Sequence, residues 1–327
     1  MFSPLSPFRL PWLVTYLVMA VAPAVTASDG PLKVFILAGQ SNMQGHARIS
    51  TFDAMADDPR TAPLLNQMRG PDGKPRVCDR VWISSIGCLG DAYTDLREAY
   101  GKLTAGFGAP QDKIGPEFSF GITAEGLLDR PILIIKTSWG GRSLHTDFRP
   151  PSAGSEQFSE ETVRRWKERG LDVDAESARI RAEGGVFYRH MIDHARHVLA
   201  DIRRVVPGYD PDRGYELAGF VWFQGFNDMI DGGAYPGRMK PGGSDQYSEL
   251  LGHLIRDVRK DLEAPALPFV IGVMGIGGEP EGKKQVYFRK AQAAPGLAAE
   301  FRGNRWRWRR PPFGTRAWTR CSSGWRS

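Results

Sequence analysis

The sequence has few cysteines and no long apolar run after its first 30 residues. It contains three cysteines in 327 residues, and no CxxC or mixed Cys/His spacing typical of a zinc site occurs. Cys78 and Cys88 are close enough in sequence to form a disulfide, and two free thiols are an equally good interpretation. Without a later stretch of about 18 apolar residues, a membrane span in the body of the chain is excluded. The sequence contains no Walker motif, so it does not predict a nucleotide-binding P-loop.

Acidic residues and lysine are absent from residues 304–327, which hold seven arginines and four of the nine tryptophans. The whole chain has 43 Lys+Arg against 37 Asp+Glu and a formal charge of +6. Residues 1–303 therefore carry 36 basic against 37 acidic residues. The basic character belongs to the tail alone, which excludes a body that coats nucleic acid.

Charge is also scarce at the N-terminus, where Arg9 is the only charged residue before Asp29. Residues 11–25 form an apolar stretch, and Val25-Thr26-Ala27 supplies the small residues of a plausible cleavage site. This pattern predicts a signal peptide over residues 1–27 and export to the periplasm or the medium. The alternative is an uncleaved membrane anchor, which the short run and Pro23 disfavour.

Short apolar runs alternate with longer periodic segments in the rest of the chain. The predicted strands are 32–38, 131–137, 217–223 and 267–273, and the predicted helices are 117–128, 186–205, 245–262 and 283–299. The strands are apolar almost throughout, as in parallel sheets covered on both faces. This alternation predicts an α/β doubly wound sheet. Residues 48–108 and 148–184 are poorly periodic and are predicted to be insertions over the ends of the sheet.

Residues that could bind an oxyanion or act as a nucleophile follow three of the predicted strands. Doubly wound sheets bind their ligands at these strand ends. Ser41 follows the first strand, the pair Gly140-Gly141 follows the second, and Asn227 follows the third. A serine can act as a nucleophile, and glycine N–H groups and an asparagine amide can donate to an oxyanion. Taken singly, each is as well explained by a helix cap or a turn.

Taken together, the segments FILAGQSNMQG, IGPEFSFG, KTSWGGRSL and FVWFQGFND resemble the SGNH hydrolases. The closest resemblance is to the sialate O-acetylesterase-like branch and its relatives that remove acetyl groups from xylan. It covers about residues 32–304 and implies a domain over 28–304. The implied fold is a three-layer α/β/α flavodoxin-like structure with a central parallel sheet. The implied activity is that of a carboxylic ester hydrolase.

The resemblance also assigns roles to residues. Ser41 would be the nucleophile, and its own N–H, Gly140 or Gly141 and the Asn227 side chain would form the oxyanion hole. The expected substrate is an acetylated carbohydrate, with no metal or organic cofactor. The residues expected to line the substrate pocket are Gln40, Asn42, Trp139, Gln224, Phe226 and Asp228, with Trp139 and Phe226 as a platform for a sugar ring.

The histidine that this family uses as a base lies near the C-terminus, and none of the six histidines here lies beyond His253. We therefore expect impaired activity and consider a non-catalytic carbohydrate-binding protein as the alternative. The Arg/Trp-rich residues 305–327 are typical of GC-rich DNA read out of frame. A shifted frame permits an apolar strand there, so we expect a poorly ordered tail beyond about Asn304. The alternative is a genuine basic tail for anionic surfaces.

Other candidate sites are weaker. His190 and His194 have metal-compatible spacing, but no glutamate completes a zinc motif, and a solvated helix flank is the better interpretation. The glycines of 272–278 lack the dinucleotide spacing. Glu117 and Asp228 could form a carboxylate pair for glycoside hydrolysis. A conventional lipase elbow needs a glycine where Met43 stands.

Overall fold

The computed structural model describes residues 30–90, 94–275 and 282–301, together with the backbone of 305–308. The part of the chain that it describes contains a seven-stranded sheet and a two-stranded sheet. The strands are β1 (Leu32–Gly39), β2 (Ala47–Arg48), β3 (Val81–Ile86), β4 (Glu98–Lys102), β5 (Lys113–Ile114), β6 (Ile132–Ser138), β7 (Tyr215–Phe223), β8 (Phe269–Gly272) and β9 (Arg305–Trp308).

The large sheet has the order β4-β3-β6-β1-β7-β8-β9. All neighbouring pairs are parallel except β3 and β4, which are antiparallel. The five strands β6-β1-β7-β8-β9 follow the 2-1-3-4-5 order of flavodoxin-like sheets. Strands β3 and β4 extend this sheet beyond β6. The predicted flavodoxin-like fold with a central, mostly parallel sheet is confirmed.

Helices cover both faces of the sheet and complete the three layers. They are α1 (Ser41–Gln44), α2 (Thr51–Asp57), α3 (Ala62–Met68), α4 (Pro116–Leu127), α5 (Glu160–Glu168), α6 (Val173–Glu183), α7 (Val186–Ala200), α8 (Ile202–Val205), α9 (Phe226–Ile230), α10 (Asp245–Asp261) and α11 (Lys283–Ala293). On one face, α1 to α4 pack around Phe118. On the other, α7 and α10 pack around Met191 and Leu254. Both faces of the strands are therefore buried, which explains their continuous apolar character.

The four predicted strands and the four predicted helices are present, with boundaries that differ by a few residues. Two of the helices are shorter than predicted. The segment 186–205 is divided at Asp201 into α7 and α8, and α11 gives way after Ala293 to the 3₁₀ turn Ala294–Leu297.

The prediction that 48–108 and 148–184 are only insertions is wrong in two respects. The first stretch contributes β3, which is an inner strand, and β4, which is the edge strand. The sequence of β3, VWISSI, contains two serines, and Ser84 is accommodated in the core because it bonds to Glu98 and His194. The second stretch forms the charged helices α5 and α6, and α5 buries Trp166. One buried residue leaves no apolar stripe that periodicity could detect.

The four described residues beyond Asn304 form a strand, and the expectation of a poorly ordered tail stays a prediction. Arg305–Trp308 pairs in parallel with β8 and supplies the fifth strand of the flavodoxin-like order. Residues 309–327 and the predicted signal peptide over 1–27 lie outside the described residues. Cys78 and Cys88 are both free and buried, so the disulfide interpretation is not supported.

Candidate active site

The three predicted loops begin side by side at the carboxyl edge of the sheet. Gly39 ends β1 and is in register with Ser138 at the end of β6 and with Phe223 at the end of β7. Because the strand order reverses between β1 and β7, this edge is the switch point where such sheets bind ligands. Ser41, the glycine pair and Asn227 are therefore brought to one place.

Gly39 permits the close approach of β1 to β7 before the chain turns into α1. Its φ is +156°, and an added Cβ would lie 2.2 Å from the Phe223 carbonyl oxygen. Ser41 is the first residue of α1 and is half-buried. In the part of the chain that is described, neither its hydroxyl nor its backbone N–H bonds to another protein group. Both groups are thus available to a ligand.

The Asn227 side chain connects the three loops. Its Nδ2 donates to the Gly141 carbonyl at 2.9 Å, and its Oδ1 accepts from Gln40 Nε2 at 2.9 Å. Gln40 Oε1 in turn accepts from the backbone N–H of Gly225 at 3.2 Å. An amide nitrogen carries two hydrogens, so one N–H of Asn227 remains for a ligand.

A buried polar network lies beneath these loops, with Asp228 at its centre. The carboxylate accepts from the backbone N–H groups of Leu144 and His145 at 2.8 and 2.9 Å, from the Tyr235 hydroxyl at 2.9 Å and from Gln224 Nε2 at 2.6 Å. Burial raises the pKa of Asp228 to about 6, although these four hydrogen bonds act to lower it. Asp228 therefore anchors the turn that follows Gly140-Gly141.

Four of the six residues expected to line the substrate pocket have no exposed surface, so that prediction is wrong for them. Gln40, Gln224 and Asp228 form the buried network. Trp139 packs edge-on against Phe187 and donates its Nε1 hydrogen to the Asp95 carbonyl at 2.8 Å, so it is not a sugar platform. Asn42 and Phe226 are exposed and remain candidates. Patterns of polar residue types do not distinguish a ligand contact from a support beneath it.

The carboxylate pair considered for glycoside hydrolysis is also corrected. Glu117 is completely buried and forms an ion pair with Lys136 at 2.7 Å. Asp228 is completely buried as well. Neither carboxyl group can reach a glycosidic oxygen from these positions.

No histidine in the described residues is hydrogen-bonded to Ser41. His194 Nε2 contacts Ser84 Oγ at 2.9 Å, and His253 Nδ1 contacts Ser152 Oγ at 2.7 Å. His194 is buried rather than on a solvated flank, and burial lowers its pKa to about 4. His145 is buried against Tyr235, and burial lowers its pKa to about 4 as well.

A cavity of about 510 Å³ opens beside Asn227. Its far wall is α5, which contributes Arg165 and Trp166, together with Arg169, the C-cap of this helix, and its near wall includes Ile230. Thr162 of α5 donates to the Gly233 carbonyl at 3.0 Å and so joins the two walls. Sequence reasoning missed these α5 residues because α5 lies in a charged insertion with no motif.

The described residues contain neither a candidate metal site nor a candidate membrane-spanning helix. No cluster of three or more His, Cys, Asp or Glu side chains there could hold a metal ion. No helix there is long and apolar enough to cross a membrane.

A flavodoxin-like sheet with a serine, a glycine pair and an asparagine at adjoining strand ends defines an SGNH-type hydrolase. The chain matches the family described as "carbohydrate esterase, sialic acid-specific acetylesterase" over residues 31–300, and it belongs to that family. Members of this family are carboxylic ester hydrolases that act on acetylated carbohydrates. A comparison with curated proteins gives no match.

Three solved structures are similar in fold. A protein from Arabidopsis thaliana has 19% identity and a TM-score of 0.44, with 85% of each chain covered. A carbohydrate acetylesterase from Xanthomonas citri has 16% identity and a TM-score of 0.43, over 81% of this chain and 47% of that one. NanS has 13% identity and a TM-score of 0.44, over 88% and 80%.

Proposed function

We propose that this chain is a serine esterase that removes O-acetyl groups from a carbohydrate through an acyl-enzyme. Ser41 Oγ attacks the acetyl carbonyl carbon, the bond to the sugar oxygen breaks, and the acetyl group remains on the serine. Water then attacks the acetyl-enzyme and releases acetate. The apolar N-terminal sequence supports export of the chain to the compartment where such sugars occur.

The tetrahedral intermediate carries its negative charge on the former carbonyl oxygen. The backbone N–H of Ser41, an N–H from Gly140 or Gly141, and the free Nδ2 hydrogen of Asn227 form the oxyanion hole in this proposal. The single observation that carries it is the position of Asn227, whose side chain bonds to both Gln40 and Gly141. A donor held in advance costs no reorganisation when the charge develops.

The cavity beside Asn227 supports a sugar as the leaving group. Ile230 offers exposed apolar surface to the face of a ring, and Trp166 lies in the cavity wall. The Arg169 guanidinium forms no hydrogen bond or salt bridge with a described residue, so it is available to a carboxylate. This arrangement fits an acidic sugar such as the sialic acid of the family description.

We also propose that the chain with this C-terminus is slow, because no histidine follows His253. A serine without its base loses several orders of magnitude in rate. The composition of 305–327 supports a frameshift as the cause. The missing base also favours a second candidate function, which is binding of acetylated carbohydrate without turnover.

Chemical rescue tests the proposal. Imidazole in solution can take the serine proton, so added imidazole should raise acetate release from O-acetylated sialic acid by the wild-type chain. Ser41→Ala should show no such increase. Ser119→Ala, which removes an exposed hydroxyl on α4, should respond like the wild type. An equal response of Ser41→Ala and the wild type would refute the nucleophile.

The same experiment separates the two candidate functions. A binding protein would take up the acetylated sugar in calorimetry and release no acetate at any imidazole concentration. An esterase that lacks only its base would bind the sugar and respond to imidazole.

A further inference from the structure

The helix that carries Ser41 is too short to hold its own orientation. Helix α1 has four residues, Ser41–Gln44, whereas isolated helices need about 12 to 15 residues to be even marginally stable. Its position must therefore come from contacts with other elements. At its N-terminal side, Gln40 bonds to Asn227.

At its C-terminal side, α1 is held by Lys136 of β6. The ammonium group donates to the Gln44 carbonyl, to the Phe107 carbonyl and to Glu117 Oε2, each at 2.7 Å. The Gln44 carbonyl is one of those that a helix end leaves without an intrahelical partner. The Gln44 side chain donates in addition to the Gly87 carbonyl at 2.5 Å.

Glu117 completes this anchor from α4. Its Oε1 accepts the backbone N–H of Gly115 at 2.8 Å. Gly115 packs so closely on Gly45 that a Cβ on Gly45 would lie 2.0 Å from its Cα, and Gly45 has φ +86°. The carboxylate therefore fixes both the ammonium and the loop against which α1 ends.

Stability alone does not account for this ion pair. Both side chains have no exposed surface, and the free-energy cost of removing two charges from water can exceed what their attraction returns. Proteins in which apolar residues of similar volume replace such a buried ion pair are often equally stable. What the pair does supply is a fixed position for the Gln44 and Phe107 carbonyls, with all three ammonium hydrogens used.

We propose that Lys136 and Glu117 are positioning residues for the esterase reaction. By holding the Gln44 carbonyl, they fix α1 so that Ser41 Oγ faces the acetyl carbonyl carbon and the Ser41 N–H faces the oxyanion position beside Asn227. This inference rests on the proposed function for its effect on rate. The anchoring of α1 itself can be measured without catalysis.

The kinetic test uses the double substitution Lys136→Met with Glu117→Gln in the full chain, which leaves no unpaired buried charge. We expect cooperative thermal unfolding and imidazole-supported hydrolysis of p-nitrophenyl acetate with kcat reduced by about 100-fold, the usual cost of a displacement near 1 Å. KM should change by less than about threefold. If the pair had only a structural role, the double variant would show wild-type kcat under conditions in which it is fully folded. That result would overturn the proposal.

The matched control is Arg76→Met with Glu125→Gln. This pair also involves α4, its atoms lie 2.7 Å apart, and Glu125 is nearly buried. Among the described residues it forms no hydrogen bond or ion pair with α1, so kcat and KM should stay at wild-type values. An equal loss of kcat in the control would assign the effect to α4 as a whole and overturn the proposal.

Amide hydrogen exchange of residues 40–46 provides the second readout. It tests the anchoring of α1 independently of the proposed esterase function. In the wild type, the N–H groups of Gln44 and Gly45, bonded to Gln40 and Ser41 carbonyls, should exchange as slowly as those of β1. In the double variant they should exchange at least about tenfold faster. Wild-type exchange as fast as in the exposed turn 70–74 would overturn the anchor even where the variant does not fold. Slow exchange without any Ser41-dependent hydrolysis would refute only the proposed function.

Discussion

Asn227 has two functions at the scale of single residues. Two of its polar groups hold the loops after β1 and β6, and its remaining N–H faces the position of the oxyanion in our proposal. The same side chain therefore builds the site and takes part in it. Asp228, the next residue, is completely buried and bonds to the turn after Gly140-Gly141.

This division predicts the effect of Asn227→Asp, which keeps the shape of the side chain and removes its donor. We expect imidazole-supported kcat/KM for p-nitrophenyl acetate to fall by about 100-fold to 1,000-fold, the typical effect of losing one oxyanion donor. Asn66→Asp, at an exposed position on α3, serves as the control. Equal rates in the two variants would exclude Asn227 from the oxyanion hole.

At the scale of elements, the sequence was most informative where a strand is buried on both faces. Strands β1, β6 and β7 are continuous apolar runs, and the motifs that follow them locate the site. Strand β3 was missed because its two serines interrupt the apolar run, although Ser84 has buried partners. Helix α5 was missed because its position over Asn227 depends on tertiary contacts such as Thr162 with Gly233, which no local pattern reveals.

The contact between β3 and α7 predicts an acid-sensitive component of stability. Ser84 gives its hydrogen to Glu98, so His194 must donate to Ser84 as a neutral ring. Its pKa falls from 6.5 to about 4 on folding, so the unfolded chain binds the proton more readily. Stability from this group is complete above pH 6.5 and is lost as the pH falls through 4.

We therefore expect the wild type to lose about 3 kcal/mol of unfolding free energy relative to His194→Gln between pH 7.5 and pH 4. Glutamine can still donate to Ser84 and does not titrate. Urea unfolding of both chains at several pH values measures the difference. A difference that is independent of pH would show that the ring is not held neutral.

Helix α5 predicts substrate preference. Arg169→Gln removes the guanidinium that has no hydrogen-bond partner among the described residues. We expect kcat/KM for O-acetylated sialic acid to fall by about tenfold, the value of one charge-assisted hydrogen bond. Activity on a neutral acetylated sugar should be unchanged. Arg164→Gln, which is on the same helix and outside the cavity lining, should affect neither substrate.

At the scale of the whole molecule, the fold and the composition of the C-terminus disagree. The flavodoxin-like order needs a fifth strand after α11, and Arg305–Trp308 takes that place in the sheet. The resemblance described above implies a histidine base near the C-terminus, and residues 309–327 contain no histidine. The strand order is therefore complete, although the sequence after β9 offers no histidine for the base in our proposal.

In our proposal, a frameshift near codon 304 explains why β9 completes the sheet while no histidine follows it. Nucleotide sequencing should find that a neighbouring frame encodes an apolar strand followed by an aspartate and a histidine. The chain expressed in that frame should hydrolyse O-acetylated sialic acid at least about 1,000-fold faster than the present chain, since a serine regains its base. The gain from imidazole should then disappear, because an internal base at high effective concentration replaces it. An uninterrupted Arg-rich frame, together with a rate unaffected by imidazole, would instead favour a carbohydrate-binding protein.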